Sequence, residues 1–294
     1  MLFENLALFL VIVEKGGLSA AGREMGMSPT TVSERLSALE KHYGATLLTR
    51  TTRSISLTDE GRLLVDAARQ LLGDAEDIRS KIKLGTQRVS GLIRLSAPVD
   101  LGRNRIVPIL DSFLAEHPEV SVDLNLTDGF IDLAGQGIDF AIRYGALADS
   151  TLRVRKLSEG RRVVCASPAY LQAQGTPLHP SELAQRQCIL MRFGTQTYRE
   201  WQFRADGRSL KVRVAGRRIA NDGDQVRQWC LAGHGICIKS LIDVRDDLRE
   251  GRLVEVLQAY SLQGVDLQIV YPSGHALARR VKLLMDQIAL KLVG

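Results

Sequence analysis

A chain of 294 residues with 45% hydrophobic and 24% charged side chains has a globular composition, and at about twice the commonest domain size it calls for two domains or one domain with an appendage. Its longest strongly apolar run, Leu6 to Val13, falls well short of the ~18 residues of a membrane span, and Met1-Leu2-Phe3-Glu4 lacks the basic start of a secretory signal, so a soluble cytoplasmic protein with no membrane partner is expected. The net charge of +6 does not mark a nucleic-acid-binding end, because residues 1–90 hold 12 basic against 11 acidic side chains. A local window is more telling: Lys41 to Thr58 carries Lys41, Arg50 and Arg53 and no acid.

In chain order, Leu6, Phe9, Leu10 and Val13 recur at helical spacing and Gly16-Gly17 ends that helix. Ser19 is placed to cap a second short helix over Ala20 to Met25, and Gly26 turns out of it. A third helix opens with Ser28 as N-cap and Pro29 at its first position and ends near Gly44, with Val32, Leu36 and Leu39 on its inner face. The outer face carries Thr30, Thr31, Ser33, Glu34, Arg35 and Ser37, short side chains that allow close approach to a groove. This pattern fits a helix-turn-helix whose third helix enters the DNA major groove; a small helical subdomain with a solvated polar face reads the same way. Thr46 to Arg50 and Ser54 to Leu57 then alternate as two short strands around Thr51-Thr52-Arg53, the wing of a winged variant, with Arg50 and Arg53 placed for backbone phosphate or the minor groove.

From Thr58, a cap, the chain runs without proline to Leu84 as one long helix. Leu64, Ala67, Leu71, Ala75, Ile78 and Ile82 form a stripe that so small a domain cannot cover, which calls for a second copy of the chain and a two-fold symmetric DNA site. Gly85 to Gly91 reads as a hinge. Beyond it the pattern becomes α/β with a mostly parallel sheet: strand Gly91 to Ala97, helix Arg103 to Glu116, strand Val120 to Leu126, a helical segment near Asp132 to Gln136, and strands Ile138 to Arg143 and Arg161 to Ala166. Cys188 to Phe193, a hairpin at Asp206-Gly207, helix Asp222 to Ala232, strand Gly235 to Lys239, strand Leu267 to Tyr271 and helix Ala278 to Leu292 continue the style.

The four cysteines (Cys165, Cys188, Cys230, Cys237) show no ligand spacing and read as buried thiols, with redox sensing the alternative; no metal site and no cofactor are expected. Five scattered histidines and the lack of a GxSxG elbow, an HExxH pair or a Walker loop argue against an enzyme and leave the catalytic list empty.

Leu18-Ser19-Ala20-Ala21, the run Ser28 to Glu40, Tyr43 to Arg53 and Leu57 to Gly61 resemble the LysR-type transcriptional regulators, as do Ser96-Ala97-Pro98, Gly137 to Arg143 and Ala232 to Ile236 further on. The resemblance covers essentially the whole chain. It implies an α/β protein with an N-terminal winged helix-turn-helix (1–58), a long linker and dimerisation helix with hinge (59–90), and a C-terminal two-lobed effector domain shaped like periplasmic binding proteins (91–294; lobe I 91–160 and 268–294, lobe II 161–267). By the family motif, Ser28, Pro29, Thr30, Thr31, Ser33 and Arg35 face the double-stranded operator, joined by Arg50 and Arg53. Glu34 departs from the family pattern, as an acid either reading a cytosine amino group or neutralised by Arg35. The effector cleft is implied at Ser96, Asp100, Thr127, Asp128, Arg143, Tyr144, Phe193, Asn221 and Asp222. Arg143 is suited to clamp a carboxylate, including that of an aromatic acid, or else pairs with Asp128 or Asp100 within one lobe. A homodimer that pairs again into a tetramer completes the expectation; a transport-type solute-binding protein is the competing reading.

Overall fold

The computed structural model describes residues 2–50, 55–84, 89–129, 131–145, 152–205, 207–273 and 277–293. The N-terminal unit packs α1 (Leu2–Lys15), α2 (Leu18–Met25) and α3 (Pro29–Tyr43) around Leu6, Phe9, Ile12, Val32, Leu36 and Leu39, all buried. Ser28 caps α3 by accepting from Thr31 N at 3.1 Å. For α2 the expected Ser19 cap is corrected: the helix begins at Leu18 with Gly17 at the cap position and no side-chain hydrogen bond, so Ser19 lies inside it. The turn into α3 needs a glycine at 22, where a Cβ would come within 2.7 Å of Met27 O. The hairpin is shorter than expected, with β1 (Leu48–Arg50) paired antiparallel to β2 (Ile55–Leu57), while Thr51, Thr52 and Arg53 lie outside the described residues.

The long α4 (Asp59–Leu84) starts at Thr58, whose hydroxyl accepts from Gly61 N at 2.9 Å. The expected stripe divides: its Leu64 joins the N-terminal core beside Val65 and Ala68, whereas its Ala67, Leu71 and Ile78 are exposed, as is the neighbouring Leu63. Helical spacing alone left open which side of a four-residue repeat meets its own chain.

The first lobe is built on a five-stranded sheet of order β4-β3-β5-β16-β6, from β3 (Gly91–Ala97), β4 (Val120–Leu126), β5 (Phe140–Tyr144), β6 (Leu152–Ser158) and β16 (Leu267–Pro272). Strand β3 runs parallel to β4 and β5, but β16 is antiparallel to both β5 and β6, so the expectation of a mostly parallel sheet is corrected to a mixed one. The returning C-terminal strand causes this. Helices α5 (Val99–Leu101), α6 (Val107–Glu116) and α7 (Leu133–Gln136) cover this sheet with the C-terminal α11 (Arg279–Val293); the helical run expected from Arg103 starts at Val99 and passes through a π-helical stretch at Gly102–Ile106.

The second lobe holds β7 (Arg162–Ala166), α8 (Pro168–Gln174), β8 (Gln187–Phe193), β9 (Gln196–Thr197), β10 (Glu200–Ala205), β11 (Arg208–Arg213), β12 (Ala215–Ala220), α9 (Gly223–Leu231), β13 (Cys237–Ser240), α10 (Leu241–Arg249), β14 (Val254–Val256) and β15 (Ser261–Leu262). Its strands form sheets β13-β7-β14, β12-β8-β9 and β11-β10-β15 around two hydrophobic clusters. The chain crosses between lobes twice, from β6 to β7 and from β15 to β16, and the crossings touch where Val265 N donates to Gly160 O at 3.1 Å. Any Cβ at Gly160 would collide with the Val265 carbonyl, which keeps that position small.

Candidate DNA interface and effector cleft

At the start of α3, Ser28, Pro29 and Thr30 are exposed, and Ser28 Oγ and Thr31 Oγ1 lie 2.9 Å apart as a hydrogen-bonded pair. Ser33 is half-buried one turn on. Arg35 sits 3.6 Å from Glu4 Oε2 on α1, while Glu34 points to solvent; the notion that Arg35 neutralises Glu34 is therefore corrected, because the guanidinium leans toward α1. Glu40 Oε1 accepts from Leu47 N at 2.9 Å and so ties α3 to the base of the hairpin. Arg50 ends β1 opposite Ile55, and Arg53 lies outside the described residues.

In the C-terminal region a cavity of about 980 Å³ is lined on one side by Pro98, Thr127, Asp128, Arg143, Tyr144 and Phe193. Arg143 is its chemical centre. β5, the middle strand of the five, carries it next to its C-terminal end, where NH2 donates to Ser96 Oγ at 2.7 Å and NH1 to Ile142 O at 2.9 Å. Among the described residues no carboxylate lies within ion-pair distance of it, and burial pulls its pKa down to about 10 against the weak pull of Asp128 in the other direction. Ser96 is fully buried and reaches the cavity only through that guanidinium, with its own hydroxyl donating to Asn125 O at 2.8 Å. Phe193, half exposed at the end of β8, supplies an apolar wall from the second lobe.

Several of the expected cleft residues are spent on joining the lobes. Asp128 accepts from Gly223 N at 2.7 Å across the junction and from Val99 N at 3.2 Å, and burial raises its pKa. Tyr144 OH donates to Asp243 Oδ1 at 2.7 Å, again across the junction. Asp100 is buried in an ion pair with Lys239, which also sits 3.3 Å from Asp243 and donates to Gly223 O at 3.0 Å. Asp222 caps α9 by accepting from Gln225 N at 3.0 Å, and Asn221 beside it is exposed; neither lines the cavity, nor does Asp100.

The sequence reading missed the cavity's other wall, which is α4: Asp66, Arg69, Gln70, Gly73 and Asp74, with Arg280 from α11. Charged residues inside an amphipathic helix read as a solvated face, and nothing local distinguishes those that face another lobe. It also missed the buried Lys239, Asp243 and Asp247 and their half-buried partner Arg227. Two acids four apart on α10, Asp243 and Asp247, both buried, were the one available signal, since a shared helix face with two acids calls for cations opposite.

Comparison with known proteins agrees with this arrangement. A family model for the bacterial regulatory helix-turn-helix protein, lysR family, matches residues 3–62, and one for the LysR substrate binding domain matches residues 86–291. The chain is 30% identical over 285 residues to the HTH-type transcriptional regulator DmlR of Escherichia coli K12, covering 97% of this chain and 92% of that protein. It is 31% identical over 270 residues to the transcriptional activator TtdR of the same strain, covering 92% and 87%. Among solved structures, CrgA, a LysR-type transcriptional regulator from Neisseria meningitidis, superposes with a TM-score of 0.65 at 29% identity over 99% of both chains. Full-length LysG from Corynebacterium glutamicum, solved with bound effector Arg, gives a TM-score of 0.67 over 100% of this chain and 98% of that one, at an identity of 20% that speaks to the fold alone. With both family models matched in order along the chain and relatives at this identity spanning nearly all of it, the protein belongs to the LysR-type transcriptional regulators and carries their helix-turn-helix DNA-binding and effector-binding domains.

Proposed function

We propose that this regulator reads a two-fold symmetric operator with Ser28, Pro29, Thr30, Thr31, Ser33 and Arg35, steadied by Arg50 and Arg53 on the DNA backbone or minor groove, and that a small anion held by Arg143 sets its operator affinity. It acts without a catalytic step of its own. The units are 1–58 for DNA, 59–90 for linking and pairing, and 91–294 for the effector, with lobe I at 91–160 and 268–294 and lobe II at 161–267. The exposed Leu63, Ala67, Leu71 and Ile78 support a dimer through α4, and a tetramer follows if the effector domains also pair.

The observation that carries the effector reading is Arg143 itself. A guanidinium offers five N–H groups, and here two are donated within the protein by a side chain that lines the cavity and has no carboxylate at ion-pair range among the described residues. A desolvated cation without a counter-ion favours an incoming carboxylate, which it can hold bidentately, and Phe193 opposite suits an apolar or aromatic body on that acid. The same cavity is walled by α4, so a ligand filling it touches the helix that leads to the DNA-binding unit. A ligand that contacts both walls favours one arrangement of the two, which is the differential affinity that regulation requires.

Untargeted mass spectrometry of the small molecules retained by the purified protein tests this reading. Acids enriched on the wild type and absent from Arg143→Ala are expected. Retention of neutral molecules by both proteins would overturn the anionic effector.

A further inference from the structure

Three cysteines far apart in the chain meet in the second lobe. Cys165 on β7 and Cys237 on β13 are direct cross-strand partners with sulfurs 3.7 Å apart, and Cys230 from the last turn of α9 completes a triangle whose Sγ atoms all lie within 4.8 Å of one another. All three are 0% exposed, and none is in a disulfide. A metal at about 2.3 Å from each of three sulfurs in a trigonal plane separates those sulfurs by about 4 Å, close to the 3.7 Å between Cys165 and Cys237 and inside the 4.8 Å that bounds the triangle.

We infer that Cys165, Cys230 and Cys237 form a closed three-thiolate site for a soft, three-coordinate cation, with Cu(I) the ion its chemistry fits best. The donor set is all sulfur, which selects soft ions. It offers three ligands rather than four, and no fourth His, Cys, Asp or Glu joins the group among the described residues, whereas structural zinc sites are four-coordinate. Each thiol releases its proton to solvent as its sulfur binds, and no electrons are exchanged. Lys239, two residues along β13 and on the same strand face as Cys237, is the nearby cation on that strand, and it is shared with Asp100 and Asp243.

Entry and consequence both run through α9. Its first turn is held at the lobe junction by Gly223 N on Asp128 and by Arg103 on Asp224 at 2.9 Å, and its last turn supplies Cys230. Movement of α9 exposes the sulfurs, and a bound cation fastens α9 to β7 and β13. Sequence spacing hides the site, since 165, 230 and 237 match no ligand motif and only the sheet brings them together.

The test is titration of the reduced full-length chain with Cu(I), without oxygen, in competition with a chromophoric Cu(I) chelator, with copper per chain and X-ray absorption as readouts. One copper per chain in a shell of three sulfurs at about 2.3 Å is expected. Cys165→Ser, Cys230→Ser and Cys237→Ser should each weaken binding by roughly tenfold or more, and Cys188→Ser, whose thiol contacts Leu183 O outside the triangle, should bind as the parent does. The inference is overturned if the chelator strips all copper from the parent chain, if the three variants retain it equally, or if equimolar Zn(II) displaces it into a four-ligand shell. X-ray absorption on the unsubstituted chain gives the answer even where a serine variant fails to fold.

Discussion

Replacing Lys239 with Met should destabilise the C-terminal region by about 3–5 kcal/mol, because it leaves buried carboxylates without their cation. Desolvation alone would lower the lysine's pKa, but attraction to Asp243 and Asp100 more than offsets it and keeps the ammonium charged. In its absence Asp100 and Asp243, both buried, face each other across the lobe junction with the Tyr144 hydroxyl, Asn104 and the more distant Arg227 as their side-chain neighbours among the described residues. Burial already raises the Asp100 carboxyl from 3.8 to about 6 even with Lys239 beside it. A raised acid binds a proton in the folded state that the unfolded chain gives up, so its contribution to stability falls as pH rises from about 4 to about 6. In Lys239→Met that decline should extend to higher pH, since the counter-charge is gone. Thermal unfolding between pH 5 and 8 checks both parts: a drop in Tm of roughly 10 °C near pH 7 is expected, and a shift under roughly 2 °C would mean the cluster does not brace the lobes.

The second large effect concerns assembly. Leu71 is 42% and Ile78 56% exposed on α4 in the single chain, two turns apart on one side of the helix and further along it than Leu64, Val65 and Ala68, which the N-terminal core buries. If a second α4 covers them, Leu71→Asp with Ile78→Asp places four carboxylates in one apolar seam, each costing on the order of several kcal/mol to bury unpaired. Light scattering should then report a lower mass than the wild type, and operator affinity should fall because one half-site is read at a time. Unchanged mass would place the pairing surface elsewhere. The N-terminal core is spared by design, since Leu64, Val65 and Ala68 are left in place.

The sequence made local features legible and concealed those that depend on distant partners. Helix α3 was readable from end to end, because Ser28-Pro29, the Val32, Leu36 and Leu39 repeat and Gly44 each act within a turn or two of the chain. Strand β6 escaped notice because Arg153, Arg155 and Lys156 give it the look of a loop, and it is a strand only because β16, more than a hundred residues on, pairs with it at the sheet's edge. That same returning strand made the sheet mixed. Strand ends near Arg143 were identifiable as a place for an anion, yet the division of labour between Arg143, which faces the cavity, and Asp100 and Asp128, which hold the lobes together, is fixed by Lys239 and Gly223 from the other lobe. Nothing in the local chain separates a carboxylate that meets a ligand from one that meets a buried lysine.

The central claim is that an anion at Arg143 changes how this chain binds DNA. Its most direct test is operator binding measured by fluorescence anisotropy, for wild type and Arg143→Ala, each with and without the acids that the wild type retains. The expected result is that both proteins bind the operator with similar affinity when ligand-free, that the acids shift the wild type's affinity by about fivefold or more, and that they leave Arg143→Ala unmoved. A variant that responds as the wild type does, or that loses operator binding without any ligand present, would contradict it.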